Sequence, residues 1–526
     1  MCLYCKHMKP NVRIKRINGK EYWYEDTPYY DTEKKQIRYH SRYLGKNVNG
    51  VPLKVRTEIP EAERHSAPRA AHTYGHLIPL QAIIQDLHLD DYLKKTVTES
   101  DAQTILTLAL NRVVRPMAMH GIQTWYEETS LILDHPELSL TSQNISELLS
   151  DIGESGIPEQ FMGELVRASG TQSTFIYDIT SLSGYSQLLN LLEYGYNRDG
   201  LDLPQLNLSL VLDKEKGVPV MYDIYPGSIV DVSTLKNTIQ KIRSLGIDHY
   251  TLVLDRGFFS QGNLEELVKK NLTFIIPAAT SLKEIKELLT EVQRDLTDPQ
   301  YLQKYHKNPL FVKPVTFSLH DMKVNGFCYY DPKREQDERN LLYLRLHDMK
   351  VKLESVQIPK WRKPEDYFKE IAGKLMNFFA WTLAGNKFVV SIKTNAVTQR
   401  LNRMGNQIIF STGDLDWMEC LSCYRERDAV EKAFRSMKHD LLTLPLNARK
   451  ESTVRGFLFV NFISLIIRMR LLRVMKESKI IEDFTVDNLL LELSKIKKIQ
   501  LANGEIIVSE ITKKQRTILE ALHLCA

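Results

Sequence analysis

Two short runs of apolar, β-favouring residues each close on an aspartate, and they restrict the possible folds more than any other feature. Ser173–Thr180 reads S-T-F-I-Y-D-I-T, with Asp178 near its end. His249–Phe258 reads H-Y-T-L-V-L-D-R-G-F, and Asp255 meets Arg256-Gly257 where the strand should stop. Runs of this length and composition are buried strands, so both carboxylates should stand at a sheet edge. A strand-end Asp is also a common turn residue. Far downstream, Tyr424–Lys438 places Arg427 three residues after Tyr424, Glu431 four after Arg427, and Lys438 seven after Glu431. Read as a helix, these four share one face. A solvated salt-bridge stripe has the same pattern. A carboxylate between two cations and a phenol also suits a metal ion held against a phosphate. Three carboxylates together can bind two divalent cations roughly 3.5–4 Å apart and drive in-line displacement at phosphorus.

The Y-x2-R-x3-E-x6-K spacing of Tyr424, Arg427, Glu431 and Lys438 resembles the signature of DDE transposases of bacterial and archaeal insertion sequences, in the insertion sequence four superfamily. Y-D-I-T at Tyr177–Thr180 and L-D-R-G-F at Leu254–Phe258 agree with it. So does Y-G-Y-N-R-D-G-L-D-L-P-Q-L-N-L-S-L-V-L-D from Tyr194 to Asp213, followed by G-V-P-V-M-Y-D-I-Y-P-G-S. Several separate motifs thus occur in the right order across Tyr74–Leu472. Ser228 departs from the family's G-N-x-x-D pattern, which Gly227 and Asp231 still fit.

The resemblance implies an α/β fold with a ribonuclease H-like core and a β-rich insertion. Asp178, Asp255 and Glu431 would be the catalytic triad and the ligands of two Mg²⁺ (or Mn²⁺) ions. Tyr424, Arg427, Lys438, Arg256 and Arg435 would contact DNA phosphates. The implied activity is cut-and-paste transposition by a homodimer acting on inverted-repeat DNA ends and target DNA. If a DNA hairpin frees the flanking end, Trp381 and Trp417 are candidates to hold a flipped base. Two other readings share the motifs: a domesticated, non-catalytic DNA-binding protein, and a ribonuclease H-like nuclease without strand transfer.

The chain of 526 residues is long enough for several cores. Its net charge of +5 is mild for a protein that meets nucleic acid. Residues 1–60 hold 13 Lys and Arg against 6 Asp and Glu, so the basic surplus sits at that end. This suits phosphate contact, and equally a solvated face. The start, M-C-L-Y-C-K-H-M-K-P, lacks the apolar stretch of a signal peptide. The apolar run Phe457–Ile467 is too short to span a bilayer and should be a helix buried on the catalytic sheet. A cytoplasmic location is expected. Cys2/Cys5 and Cys420/Cys423 form two C-x-x-C pairs, which could complete a zinc site or remain reduced thiols.

Residues 1–72 should form a basic β-meander and linker, with Asn18-Gly19 as a hairpin turn. Arg38, His40 and Arg42 among Tyr39 and Tyr43 could grip DNA, or simply pack. Residues 73–170 should be an α-helical, end-binding domain, with helices at His76–Leu87, Ala102–Val114 and Thr141–Ser150. The core should comprise 171–280 and 406–475, split by a β-rich insertion at 281–405, with a helical region at 476–526. Core strands are expected at Thr174–Ile179, Leu206–Asp213, Pro219–Tyr225, Tyr250–Leu254 and Thr273–Pro277. Insertion strands are expected at Leu310–Tyr330, Leu341–Val356 and Lys387–Lys393. The hexapeptide L-H-D-M-K-V occurs at Leu319–Val324 and Leu346–Val351. It reads as two similar strands or chance, or as a duplicated hairpin with His320/Asp321 and His347/Asp348 as metal pairs. Arg435, Lys438, His439, Arg449, Lys450 and Arg455 should form a cationic margin beside Glu431.

Overall fold

The computed structural model describes residues 11–31, 34, 36–53, 67–170, 172–186, 189–195, 197–198, 200–229, 231–280, 282–319, 322–443 and 450–524. Cys2, Cys5, His320, Asp321, Arg449 and residues 54–66 of the expected linker lie outside them. The chain forms two compact units, Met1–Ala71 with Ile499–Val508, and His72–Lys498 with Ser509–Ala526.

The first unit holds an antiparallel meander of β1 (Asn11–Ile17), β2 (Lys20–Asp31), β3 (Gln36–Val48) and β4 (Val51–Leu53), in that order. Asn18 and Gly19 make the β1–β2 turn with φ of 51° and 74°, the left-handed pair that matches strand twist. Strand residues alternate between faces. The registers Arg13↔Tyr24, Lys15↔Tyr22, Tyr24↔Tyr43 and Pro28↔Tyr39 therefore set the tyrosines beside Arg13 and Lys15. Arg38, His40 and Arg42, paired with Tyr29, Thr27 and Glu25, lie on the opposite face. The expected cluster of these cations with Tyr39 and Tyr43 is thus divided by the pleat. A further strand, β5 (Pro68–Thr73), follows.

The second unit is built on a nine-stranded sheet. Its strands are β6 (Thr174–Ser183), β7 (Gln205–Asp213), β8 (Val218–Pro226), β9 (Thr251–Leu254), β10 (Thr273–Pro277), β11 (Leu302–Tyr305), β12 (Asn308–Leu319), β13 (Met322–Tyr330) and, after two strands outside this sheet, β16 (Asn406–Ser411). The spatial order is β11-β12-β13-β16-β10-β9-β6-β7-β8. β6, β7 and β8 are antiparallel neighbours, whereas β9 runs parallel to β6 and β10 parallel to β9. All five expected core strands are present. Every residue of β7 is buried, the polar Gln205, Asn207, Ser209 and Asp213 included. Helices Asp231–Ser244 and Gln261–Lys269 connect β8 to β9 and β9 to β10.

The helical block agrees with its periodicity: Leu77–Asp86, Glu99–Val114 and Ser142–Glu154 are helices. The Thr141 side chain caps the last by accepting from the Asn144 amide. This block shares one hydrophobic core with the sheet and with the long helix Glu451–Glu477. That helix contains the apolar run Phe457–Ile467 and packs on β8. It crosses Ser142–Glu154 closely enough that a Cβ on Gly456 would lie 1.9 Å from the Leu149 carbonyl oxygen. A Cβ on Gly153 would lie 1.9 Å from the Ser452 carbonyl oxygen. Among the described residues no helix is long and apolar enough to cross a membrane.

Three expectations are corrected. The insertion is not uniformly β-rich, because Leu341–Val356 lies almost wholly in the helix Pro332–Ser355. Its cluster of leucines resembles a strand, but Asp331 caps the helix, Pro332 sits in its first turn, and Arg334–Glu338 and Lys350–Glu354 pair one turn apart. The second L-H-D-M-K-V copy is inside this helix, whereas the first bridges β12 and β13, where Leu319 pairs with Met322. The two copies are therefore neither two strands nor a duplicated hairpin. Finally, the C-terminal region is not all helix: Lys497–Leu501 and Ile506–Val508 are strands between the helices Val486–Leu493 and Lys513–Ala521.

β12 and β13 extend the main sheet. Downstream, Pro332–Ser355, Pro364–Ala372, β14 (Phe379–Ala384) and β15 (Lys387–Ile392) enclose a separate small core around Leu353, Phe368, Phe379 and Phe388.

Candidate active site

The parallel pairing of β6 and β9 brings the two aspartates together. Tyr177 pairs with Leu254, so Asp178 and Asp255 are the next residues along adjacent parallel strands. Asp178 is not at a strand end, since β6 continues to Ser183 against β7. It stands where its neighbour β9 stops. Asp255 then begins the turn Arg256–Phe258.

Glu431 comes from the opposite side. The stretch Tyr424–Lys438 is not one regular helix but Trp417–Arg425, then Asp428–Arg435, then a wider π turn over Ser436–Asp440. Arg427 is the N-cap of the second helix, so Glu431 remains one turn beyond it. The Arg427 guanidinium lies at the meeting point of all three carboxylates. Its Nη1 is 3.4 Å from Asp178 Oδ2 and 3.3 Å from Asp255 Oδ1, and its Nη2 is 2.5 Å from Glu431 Oε1. The Tyr424 ring centroid is 5.8 Å from the same guanidinium. Residues separated by up to 253 positions in sequence thus share one charged cluster.

Solvent access differs across this cluster. The Asp178 side chain is 16% exposed and that of Glu431 53%. Burial pushes the Asp178 carboxyl up to about 7. The Ile179 amide, which donates to Asp178 Oδ1 at 2.8 Å, opposes that rise. Asp255 adds to it, while Arg427 and Arg198 oppose it. Burial works against the Arg427 charge, yet Asp255, Tyr424, Glu431 and Asp178 together hold its pKa above the ordinary value. Burial also raises the Tyr424 phenol, so it stays protonated at neutral pH.

The remaining site residues divide into two groups. Arg256 and Arg435 are exposed, next to Asp255 in sequence and one helical turn beyond Glu431. Lys438 is buried in the π turn, which breaks the regular spacing that placed it on the Glu431 face. That turn is tied down by Arg468, whose Nε is 3.0 Å from Ser436 Oγ and 3.1 Å from Asp440 Oδ2. The exposed cationic margin therefore excludes Lys438. Arg455 pairs with Glu451 and lines a separate cavity with Asp223 and Lys241. Sequence reasoning missed Arg198 as a neighbour of Asp178, although it belongs to the N-R-D-G stretch that carried part of the resemblance.

Of the tryptophans, Trp381 stacks on Phe368 at 5.3 Å within the small core, and the Trp417 carbonyl accepts from the Tyr329 hydroxyl. Trp361, 78% exposed, was not singled out. Ser228 donates its hydroxyl to Glu193 and so joins the neighbouring loop without the Asn of the family pattern. Cys420 and Cys423 are free thiols, and burial pushes Cys420 up to about 11.

Among the described residues no group of three or more His, Cys, Asp or Glu side chains is gathered closely enough to hold a metal directly. The three carboxylates instead meet through a shared cation, the guanidinium. Their donors are all hard oxygens, the set that Mg²⁺ or Mn²⁺ prefers, so the donor chemistry fits a divalent ion.

Residues 169–352 match the family model of the transposase DDE domain. Asp178 and Asp255 fall inside this span and Glu431 beyond it. No curated protein matches the chain. Two solved structures are similar in part. A piggyBac transposase synaptic complex with hairpin DNA aligns at 9% identity and a TM-score of 0.38, covering 80% of this chain and 79% of that one. A Drosophila P element transposase strand transfer complex aligns at 13% identity and a TM-score of 0.19, covering 72% of this chain and 81% of that one.

Proposed function

We propose that this chain is a DDE transposase that cuts DNA at inverted-repeat ends and joins the freed strand to target DNA. The observation that carries the reading is the convergence of Asp178, Asp255 and Glu431, from three separate segments, on the Arg427 guanidinium. The domain match over 169–352 supports it. So does the sheet, in which three antiparallel strands are followed by two parallel ones, an arrangement suited to a ribonuclease H-like core.

Asp178, Asp255 and Glu431 would hold two Mg²⁺ or Mn²⁺ ions, which supply an acidified attacking water or 3′-hydroxyl and neutralise the leaving oxygen. The chain's own groups have distinct tasks. The Ile179 amide orients Asp178. Arg427, charged at any working pH, offers paired N–H donors to a scissile phosphate. Tyr424 keeps its proton and acts as a hydrogen-bond donor, not as a nucleophile. Exposed Arg256 and Arg435 guide the DNA backbone toward the carboxylates. Lys438 retains only an indirect role, through the turn that carries it. Residues 73–170 are proposed to bind the ends, and a homodimer to cut paired ends together in the cytoplasm.

The test is strand cleavage and joining, with linear DNA bearing inverted repeats and a supercoiled target, in Mg²⁺. Asp178→Asn, Asp255→Asn and Glu431→Gln should each abolish both steps while leaving end binding intact. Cleavage persisting in any one of them removes that residue from the triad. Cleavage without joining in the unaltered protein makes it a nuclease.

A further inference from the structure

The geometry points to a second nucleic-acid site, independent of the proposed catalytic one: the tyrosine-bearing face of the β1–β4 sheet is a platform for single-stranded nucleic acid. Tyr22, Tyr24 and Tyr43 form a contiguous cluster, and Tyr39 lies four residues along β3 from Tyr43 on the same face. Tyr24 and Tyr43 have ring centroids 5.5 Å apart, and Tyr22 and Tyr43 6.1 Å apart. Tyr39 is 58% and Tyr43 44% exposed, so both rings are open to a ligand.

Cations stand within this cluster. Lys15 Nζ lies 4.5 Å from the Tyr24 ring centroid and 3.0 Å from Ser41 Oγ. Among the described residues the face carries a single carboxylate, Asp26, which is buried and bound by Arg13, by Lys15 and by the Ser41 hydroxyl at 2.5 Å. It holds the two cations in place and adds no exposed negative charge. Lys20 and Lys46 share this face by register. On the opposite face Arg16, Arg38 and Arg42 are matched by Glu21, Glu25 and Asp31. The positive surplus is therefore confined to the tyrosine side.

A polyanion with exposed rings is the chemistry that complements such a face. Aromatic side chains on an open sheet stack on bases whose π-faces are free, and basic residues beside them take the backbone. A duplex shields its bases, so single strands fit better. Stacking tolerates any base, so sequence preference should be weak.

Fluorescence anisotropy of the full chain with labelled oligothymidine, and with a duplex and an oligouridine as separate arms, tests this. The unaltered protein should bind both single strands more tightly than the duplex. Tyr39→Ala and Tyr43→Ala should each weaken single-strand binding about ten-fold, whereas Tyr43→Phe, which keeps the ring, should retain it. Lys15→Gln should flatten the salt dependence, and Arg38→Gln on the other face should change nothing. Undiminished affinity in the Tyr39→Ala/Tyr43→Ala double variant overturns the proposal. So does equal weakening by Arg38→Gln, or a preference for the duplex. Because no cleavage is read, failure here leaves the catalytic reading untouched, and failure of the triad variants leaves this platform untouched.

Discussion

The second unit contains two hydrophobic cores of very different size, and only the larger one carries the charged site. The large core joins the sheet, the helical block and the helix Glu451–Glu477 into one buried mass. The small one is enclosed by Pro332–Ser355, Pro364–Ala372, β14 and β15, with a handful of large side chains. A carboxylate such as Asp178 can be held partly dehydrated only against a mass that does not yield. The small core, with far fewer buried apolar side chains, should open more readily.

Four measurements would break or sharpen that contrast. Gly456→Leu should have the largest effect, because its side chain would enter the Leu149 backbone. Loss of soluble, cooperatively folding protein is expected, and a normal melt would show that the helix crossing can relax. Phe388→Ala should destabilise the small core by about 3–5 kcal/mol, seen as earlier hydrogen exchange over 332–404 with the β6 and β9 amides still protected. Simultaneous loss in both regions would make the two cores one cooperative unit.

Asp178→Asn probes the large core directly. A carboxyl raised to about 7 in the folded chain and near 4 when unfolded favours the native state only while protonated. Stability without added metal should therefore fall as pH rises from about 4 to about 7. The Asn variant should lack that slope and be about 2 kcal/mol more stable than the parent at pH 8, within the scale of the shift. Identical pH profiles would show that Asp178 is well hydrated. Smallest is Asp331→Ala, which removes the side chain accepting from the Lys333 and Arg334 amides. It should cost about 1 kcal/mol, confined to amide exchange in the first turn of Pro332–Ser355.

The same pair of regions shows where sequence reasoning succeeds. In the large core the local signals agree on the elements, namely the apolar strands that carry Asp178 and lead into Asp255 and the Thr141 cap, although β6 runs on past Asp178 to Ser183. In the insertion they conflict. Leu319–Val324 and Leu346–Val351 are the same six residues, yet one spans a strand junction and the other a helix. Leu319 follows a β-branched run that pairs with β13, while Leu346 follows a capped, charge-paired helix start. Six residues cannot decide between these conformations, because neighbours supply the hydrogen-bond partners. The meander shows a different limit: Asn18-Gly19 announced the hairpin, but only the register revealed that Arg38 and Tyr39 face opposite ways.

By itself the sequence determined the five core strands, their aspartates, and the spacing from Tyr424 through Arg427 to Glu431, since each depends on residues within a few turns of one another. Only the tertiary structure decided that Asp178 and Asp255 lie side by side, that a single guanidinium joins them to Glu431, and that a π turn buries Lys438. Those outcomes depend on which strands pair and on how a distant helix packs against them. Pairing and packing are set by the burial of the whole core, which no short stretch of residues encodes.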